Sequence, residues 1–213
     1  MTAPLEGVLV VSVEQAIAAP FASRQLADLG ARVLKIERPD SGDFAREYDT
    51  AVAGTSAFFV WANRGKDSFV LDLKDDDDRA MFDQLVAGAD VFIQNLAPGA
   101  AERAGLLPHQ VRERHPSIIA CGISGYGLDG PRTHDKAYDL AIQAEAGAIT
   151  LTGSPDEPSK VGFSVADIAS GMYALSSILA ALFRRQQTGE GATIELSMLE
   201  CLAEWTAAPT YSA

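Results

Sequence analysis

The sequence predicts an α/β fold, an open parallel β-sheet flanked by helices. Two observations carry this expectation. Short apolar runs alternate with amphipathic stretches of helical spacing, and the first such alternation closes a complete βαβ unit. In that unit GVLVVSV (7–13) is a strand, PFASRQLADLGA is a helix with proline at its start, and ARVLKIE (31–37) is a second strand. The pattern then repeats as strand SFVLDLK, helix DDDDRAMFDQLVAGAD, strand VFIQN, helix PHQVRERHP and strand SIIACGIS. Ligands of such a sheet are expected at the carboxyl ends of its strands. The acids Asp75, Asp76, Asp77 and Asp78 precede an apolar-periodic segment, so they read as an N-cap and first turn rather than a metal site.

After the strands come AYDLAIQAEAGAITLTG, the loop SPDEPSKVG and a long helix. In that helix Ile168, Met172, Leu175, Leu179 and Leu182 recur at steps of three and four, which predicts one buried stripe. GEG turns the chain into the strand TIELS, and MLECLAEW begins a further helix. The chain stops at TYSA without a C-cap or a closing strand, so a truncated chain is expected. Neither an internal repeat nor a low-complexity linker is present.

At 213 residues, 47% hydrophobic and 22% charged, the chain suits one large globular domain. Its net charge of −12 argues against nucleic acid or an anionic membrane as partner. An anionic ligand would have to meet a local basic cluster. Cys121 and Cys201 lie far apart and show neither CxxC nor Cys/His ligand spacing, which disfavours a disulfide framework and a zinc site. A reducing, cytoplasmic setting is expected. MTAPLEGVLVVSV lacks the basic start of a signal peptide, and the uncharged run 168–183 is short and rich in Ser, Gly and Ala for a membrane span.

Several motifs have competing readings. GYGLDG (125–130) is literally GxGxxG after a strand, but Pro131, Arg132, Thr133 and His134 follow instead of an apolar helix, so a loop is the better reading than a nicotinamide site. Ser124 does not sit in GxSxG; His109, His115 and His134 lack metal spacing; no Walker A pattern supports ATP chemistry. Asp167 lies just inside an otherwise apolar helix. The segment SVAD (164–167) reads as a capping box, in which Ser164 and Asp167 satisfy orphan backbone N–H groups. Gly171, one turn below, costs helix stability and removes a side chain that would cover Asp167, as though something must approach closely.

The segments 4–46, VFIQNLAPGAAERAGL, GYGLDGP, KAYDLAIQAEAG and VADIASGMYALSSILAALFRRQQTGEGATIELSMLE together resemble the class III coenzyme A transferases. That family includes formyl-CoA and carnitine CoA-transferases and is related to the α-methylacyl-CoA racemases. The resemblance runs from about Leu5 to the end of the chain. It implies a Rossmann-like, CoA-binding large domain over 1–213, lacking the family's smaller second domain, and a homodimer, interlocked, in the full-length form. It implies Asp167 as the nucleophile that attacks an acyl-CoA thioester, and a small carboxylic acid as the other substrate, with branched C5 dicarboxylates such as itaconate, mesaconate or citramalate the softer expectation. Coenzyme A is the group carried, with no metal, NAD or ATP required. The CoA contacts implied fall on Ile17, Ala18, Arg38, Leu71, Asp72, Leu73, Lys74, Asn95, Leu96, Arg103, Lys136, Ala137 and Tyr138.

Without the resemblance, Arg38, Lys74, Arg103 and Lys136 would read as solvated surface charges, and Ile17, Leu71 and Leu73 as core. Their common place after strand ends is what suggests a ligand shell. Tyr138 stands where the racemases carry a histidine, and a phenol with an ordinary pKa of about 10 is a poor general base, which favours transfer over epimerisation. Asp67 is expected beside the CoA face, where an acid would weaken phosphate binding. The rival readings are a racemase-type isomerase and a non-catalytic CoA-binding fragment; a dinucleotide oxidoreductase is the runner-up from the residues alone.

Overall fold

The computed structural model describes residues 2–211. Six parallel strands form one open sheet: β1 (Leu9–Val13), β2 (Arg32–Glu37), β3 (Asp67–Val70), β4 (Val91–Gln94), β5 (Ile119–Ser124) and β8 (Ala192–Ser197), in the order β3-β2-β1-β4-β5-β8. Between them run α1 (Ala18–Asp28), α2 (Ala57–Asn63), α3 (Asp76–Ala87), α4 (Pro98–Arg103) and α5 (Pro108–Arg114). The helices α6 (Asp139–Glu145), α7 (Ala148–Leu151) and α8 (Val165–Thr188) follow, with a two-stranded hairpin, β6 (Gly153–Ser154) and β7 (Glu157–Pro158), before α8; α9 (Met198–Tyr211) ends the described chain. The α/β architecture expected from the alternation of elements is the one observed.

The central strands read as unbroken apolar runs because both faces of the sheet are covered. Val10, Val33, Ile93 and Ile119 point to one side, where they meet Ala22 and Leu26 of α1, Ile178 and Leu182 of α8, and Leu202 of α9. Val11, Leu34, Phe92 and Ala120 point to the other, against Phe82 and Val86 of α3 and Val111 of α5. From β1 the chain moves outward to β2 and β3, then returns to lay β4 on the opposite side of β1. That reversal opens a crevice outside the carboxyl ends of β1 and β4, the usual ligand position in doubly wound sheets.

Three local expectations are corrected. SFVLDLK does not run as one strand, since β3 ends at Val70 and Leu71 to Lys74 form a turn. The turn is built by carboxylates: Asp72 accepts the Lys74 N–H at 3.0 Å and Asp78 accepts the Asp72 N–H at 2.7 Å. Asp75 caps α3 as expected, accepting from the N–H groups of Asp77 and Asp78. The buried face of α8 is not the bulky stripe but a line of smaller residues, Ala166, Ala169, Ser170, Gly171 and Ala174, continued by Ile178 and Leu182. Met172 is exposed, because α1 and α8 come too close for large side chains at their contact. A Cβ on Gly171 would lie 2.7 Å from the Ala18 carbonyl oxygen and 2.8 Å from Phe21 Cδ1. By length and hydropathy α8 matches a membrane span, yet it packs here as a core helix against the sheet, α1 and α9. The third correction concerns its cap: Ser164 occupies the N-cap position but its side chain accepts no cap hydrogen bond, and an acid from another element does that work.

Candidate active site

The site begins with the loop after β1. Asn95, at the end of β4, grips Gln15 twice: its Oδ1 accepts the Gln15 N–H at 2.9 Å and its Nδ2 donates to the Gln15 carbonyl at 2.8 Å. Ala16 is held at φ 60°, a left-handed conformation unusual for a residue with a Cβ, and donates its N–H to Asp43 Oδ1 at 3.1 Å. Asp43 is itself buried and ion-paired with the buried Lys35 at 2.7 Å. Behind the loop, Glu14 takes Lys66 at 2.6 Å and the Ser23 hydroxyl. Burial works to raise the Glu14 pKa, but the charges of Lys66 and Lys35 outweigh it and hold the carboxyl below its ordinary value. Burial pulls the Lys66 ammonium down to about 8 against the pull of Glu14. Every member of this network has a partner, as buried charges require, and together they fix where α1 starts.

Onto that start α8 brings Asp167. Its carboxylate faces the N–H of Ala18, in the first turn of α1, while Asp167 itself lies in the first turn of α8. The cap of α8 is Asp139, the first residue of α6, whose Oδ1 accepts the N–H of Ala166 at 2.8 Å and of Asp167 at 3.3 Å. Burial, and then the charge of Asp139, push the Asp167 carboxyl up to about 7, with the Ala18 N–H pulling the other way. A helix N-terminus favours a carboxylate, but burial outweighs it here, and near neutrality the group is poised between acid and carboxylate. Gly171 has a different role from the one its sequence position suggests: it admits α1, not a ligand, and so brings the Ala18 N–H to Asp167.

Two clefts of about 670 Å³ each adjoin along Gln15, Leu96 and Ala100, and Asp167 lines the second. The first is lined by Arg38, Leu71, Asp72, Leu73, Lys74, Leu96 and Arg103 among others, and the second by Ile17, Ala18, Asn95, Leu96, Ala137, Tyr138 and Asp167. The residues singled out in the sequence are thus brought together around one crevice, except Lys136. Ala137 packs close over Gly125, and Lys136 before it faces solvent outside both clefts. Gly125, the first glycine of the GxGxxG look-alike, serves that packing; no helix follows, in accord with a loop rather than a dinucleotide fingerprint. Asp67 is not beside the crevice. It opens β3 at the opposite, amino end of the strands and pairs with Arg32 at 3.1 Å in solvent.

The first cleft has a basic exposed lining. Arg38, Lys74 and Arg103 are exposed around it, and Arg79, unremarked in the sequence, joins them from α3 while donating to the Ala104 carbonyl at 2.8 Å. Of its acids, Glu14, Glu37 and Asp43 are neutralised by Lys66, Arg46 and Lys35, while Asp72 accepts the Lys74 N–H and Asp40 is exposed at the rim; Arg79 also pairs with Asp83 at 3.2 Å. The cleft around Asp167 is instead aromatic and uncharged apart from Asp139 and Asp167. Phe44, Tyr48 and Phe58 form a row with ring centroids 5.8 and 6.0 Å apart. Burial first, then Asp43 and Asp167, push the Tyr48 hydroxyl up to about 12, so it keeps its proton. Sequence reasoning missed Gln15, Tyr48, Phe58 and Asp139. Gln15 and Asp139 had a signal, being neighbours of a strand end and of Tyr138; the aromatics lie in the segment 44–63, which showed no readable period. Among the described residues no group of three or more His, Cys, Asp or Glu is placed to hold a metal ion.

The chain is similar to several known proteins. The chain is 41% identical to the acetyl-CoA:oxalate CoA-transferase of Acetobacter aceti, over 92% of this chain and 51% of that protein. It is 37% identical to the human (Homo sapiens) succinyl-CoA:glutarate CoA-transferase, over 92% of this chain and 45% of that one. A crystal structure of a CAIB/BAIF family protein from Brucella suis superposes with a TM-score of 0.93 at 36% identity, covering 100% of this chain and 57% of that one. The chain spans about half the length of the curated relatives it matches. The sequence profile described as CoA-transferase family III matches residues 5–213, and the chain belongs to that family.

Proposed function

We propose that the protein moves coenzyme A between an acyl-CoA and a small carboxylic acid, with Asp167 as the covalent nucleophile. The observation that carries this reading is the placement of Asp167: an acid poised near neutrality, facing an N–H of a second helix, in an aromatic cleft that adjoins a cleft lined by Arg38, Lys74, Arg79 and Arg103. The basic cleft suits the phosphates of coenzyme A through Arg38, Lys74, Arg79 and Arg103, since guanidinium and ammonium groups bind phosphate by charge-assisted hydrogen bonds. The aromatic cleft suits the thioester and acyl group.

In the first half-reaction an Asp167 oxygen attacks the thioester carbonyl carbon; the C–S bond breaks and its electron pair leaves with the CoA sulfur as thiolate. The mixed anhydride so formed is attacked by that thiolate at the Asp167 carbonyl. Its C–O bond breaks, releasing the first acid as a carboxylate and leaving CoA on Asp167 as a thioester. The acceptor carboxylate then repeats the two steps in reverse and restores Asp167. One thioester is exchanged for another, so the sequence balances without ATP or an electron carrier, and a difficult transfer is divided into easier steps. The Ala18 N–H orients the attacking carboxylate. Tyr48, kept protonated, and the aromatic row offer an apolar wall beside the reacting group. A branched C5 dicarboxylate is the acceptor the family resemblance suggests. The homodimer and the cytoplasmic setting belong to this same reading.

The test is to supply an acyl-CoA with a panel of carboxylic acids in deuterium oxide and analyse the thioesters formed. New acyl-CoA species, absent with Asp167→Ala, are expected. Deuterium gained at the α-carbon without a new thioester would replace transfer by epimerisation, against which Tyr138 already stands.

A further inference from the structure

Beside the cleft of Asp167 lies a second, apolar hollow of about 310 Å³, walled by Ile17, Ala57, Phe58, Trp61, Phe163 and Ile168. Ile17, Phe58 and Ser164 line both spaces, so the hollow adjoins the nucleophile's cleft directly. Its walls are held from behind. Trp61 stacks on Phe21 with ring centroids 5.2 Å apart, the Arg24 guanidinium lies 5.8 Å from the Trp61 ring, and Phe58 meets Tyr48 edge-on. Phe163 is nonetheless 59% exposed and Phe58 46% exposed, a large apolar surface left open next to a reactive acid. Among the described residues, neither space has a Lys or Arg in its lining. A dicarboxylic acid reaching into the hollow would bring its second carboxylate among aromatic rings with no cation to meet it, at the full cost of an unpaired charge.

Resting on the transferase reading, we infer that the hollow takes the tail of an apolar monocarboxylic acyl group, so that one of the two acids exchanged is aliphatic or aromatic. At roughly 30 Å³ per water-sized group the hollow of about 310 Å³ has room for a tail of up to about ten carbons. An acid too short to reach the hollow is not selected by it, so the inference concerns only one of the two acids exchanged. The same carboxylate attack and C–S cleavage apply to every acyl group; only the fit of the tail differs.

The experiment follows the covalent adduct on the protein by intact mass with acetyl-, succinyl-, butyryl- and hexanoyl-CoA in turn. Hexanoyl-CoA is expected to label at least about tenfold faster than acetyl- or succinyl-CoA, since burying each added methylene favours binding. Two variants probe the wall: Ala57→Phe fills the hollow, and Phe163→Ser, at an exposed position with no fold at stake, removes its apolar lip. Each is expected to lower the hexanoyl-to-acetyl ratio about tenfold. Equal rates, faster labelling by succinyl-CoA, or a ratio that neither variant moves would overturn the inference and leave the transferase reading standing. Absence of an adduct with any acyl-CoA would overturn both.

Discussion

Asp167 is a residue whose chemistry depends on being held away from water. Its carboxyl is raised to about 7 by burial and by Asp139, so the nucleophilic form is gained as pH rises through neutrality. The rate of adduct formation is expected to climb about tenfold per pH unit below 7 and to level off above 8, measured by quenched labelling between pH 5.5 and 8.5. The same shift has a stability consequence of definite sign. A folded-state pKa above the unfolded value near 4 means the folded protein binds more protons between the two, so stability is full below about pH 4 and falls as pH rises toward 7. Asp167→Asn removes that loss. Allowing for partial exposure, it is expected to stabilise the fold by about 1–3 kcal/mol at pH 8, a gain that vanishes toward pH 4, read from urea unfolding at the two pH values. The position of Asp167 was legible in the sequence; its elevated pKa was not, because it comes first from tertiary burial and then from an acid 28 residues away.

At the scale of elements, the site is a junction of helix starts. The start of α1 is fixed by Asn95 and Asp43, that of α8 by Asp139, and the two helices touch through Gly171. Gly171→Ala drives a methyl into the backbone of α1, so it is expected to destabilise by about 1–3 kcal/mol and to slow labelling by displacing the Ala18 N–H. Asp139→Ala removes the cap of α8 at a cost of about 0.5–2 kcal/mol in denaturant unfolding, and by removing a neighbouring charge it shifts the labelling pH profile to lower pH. Local spacing read SVAD as a self-contained cap, a sound guess for an isolated helix. Here Ser164 is turned aside and the cap comes from a residue distant in sequence, which no local pattern encodes. The misread stripe on α8 has a similar cause: large residues at helical spacing look like a buried face, whereas close helix contact selects small ones.

At the scale of the molecule, the order of strands and helices was written in the alternation of apolar runs, and the crevice follows from where that order reverses at β1 and β4. The loops were less readable, because their turns are made by distant carboxylates and because the aromatic segment 44–63 has no period to detect. In this strongly acidic chain Arg38, Lys74 and Arg103 line one cleft, and Arg38→Ala combined with Arg103→Ala is expected to weaken CoA binding at least tenfold by calorimetry. Asp67→Arg, at the far end of the strands, is expected to leave that affinity unchanged. The central claim, that the crevice exists to present Asp167 to a thioester, is tested most directly by trapping. The protein is mixed with acyl-CoA, treated with hydroxylamine, digested and mapped by tandem mass spectrometry. A hydroxamate on Asp167, formed only when acyl-CoA is present, is the result this account requires; a hydroxamate on another residue, or none from folded protein with CoA bound, would contradict it.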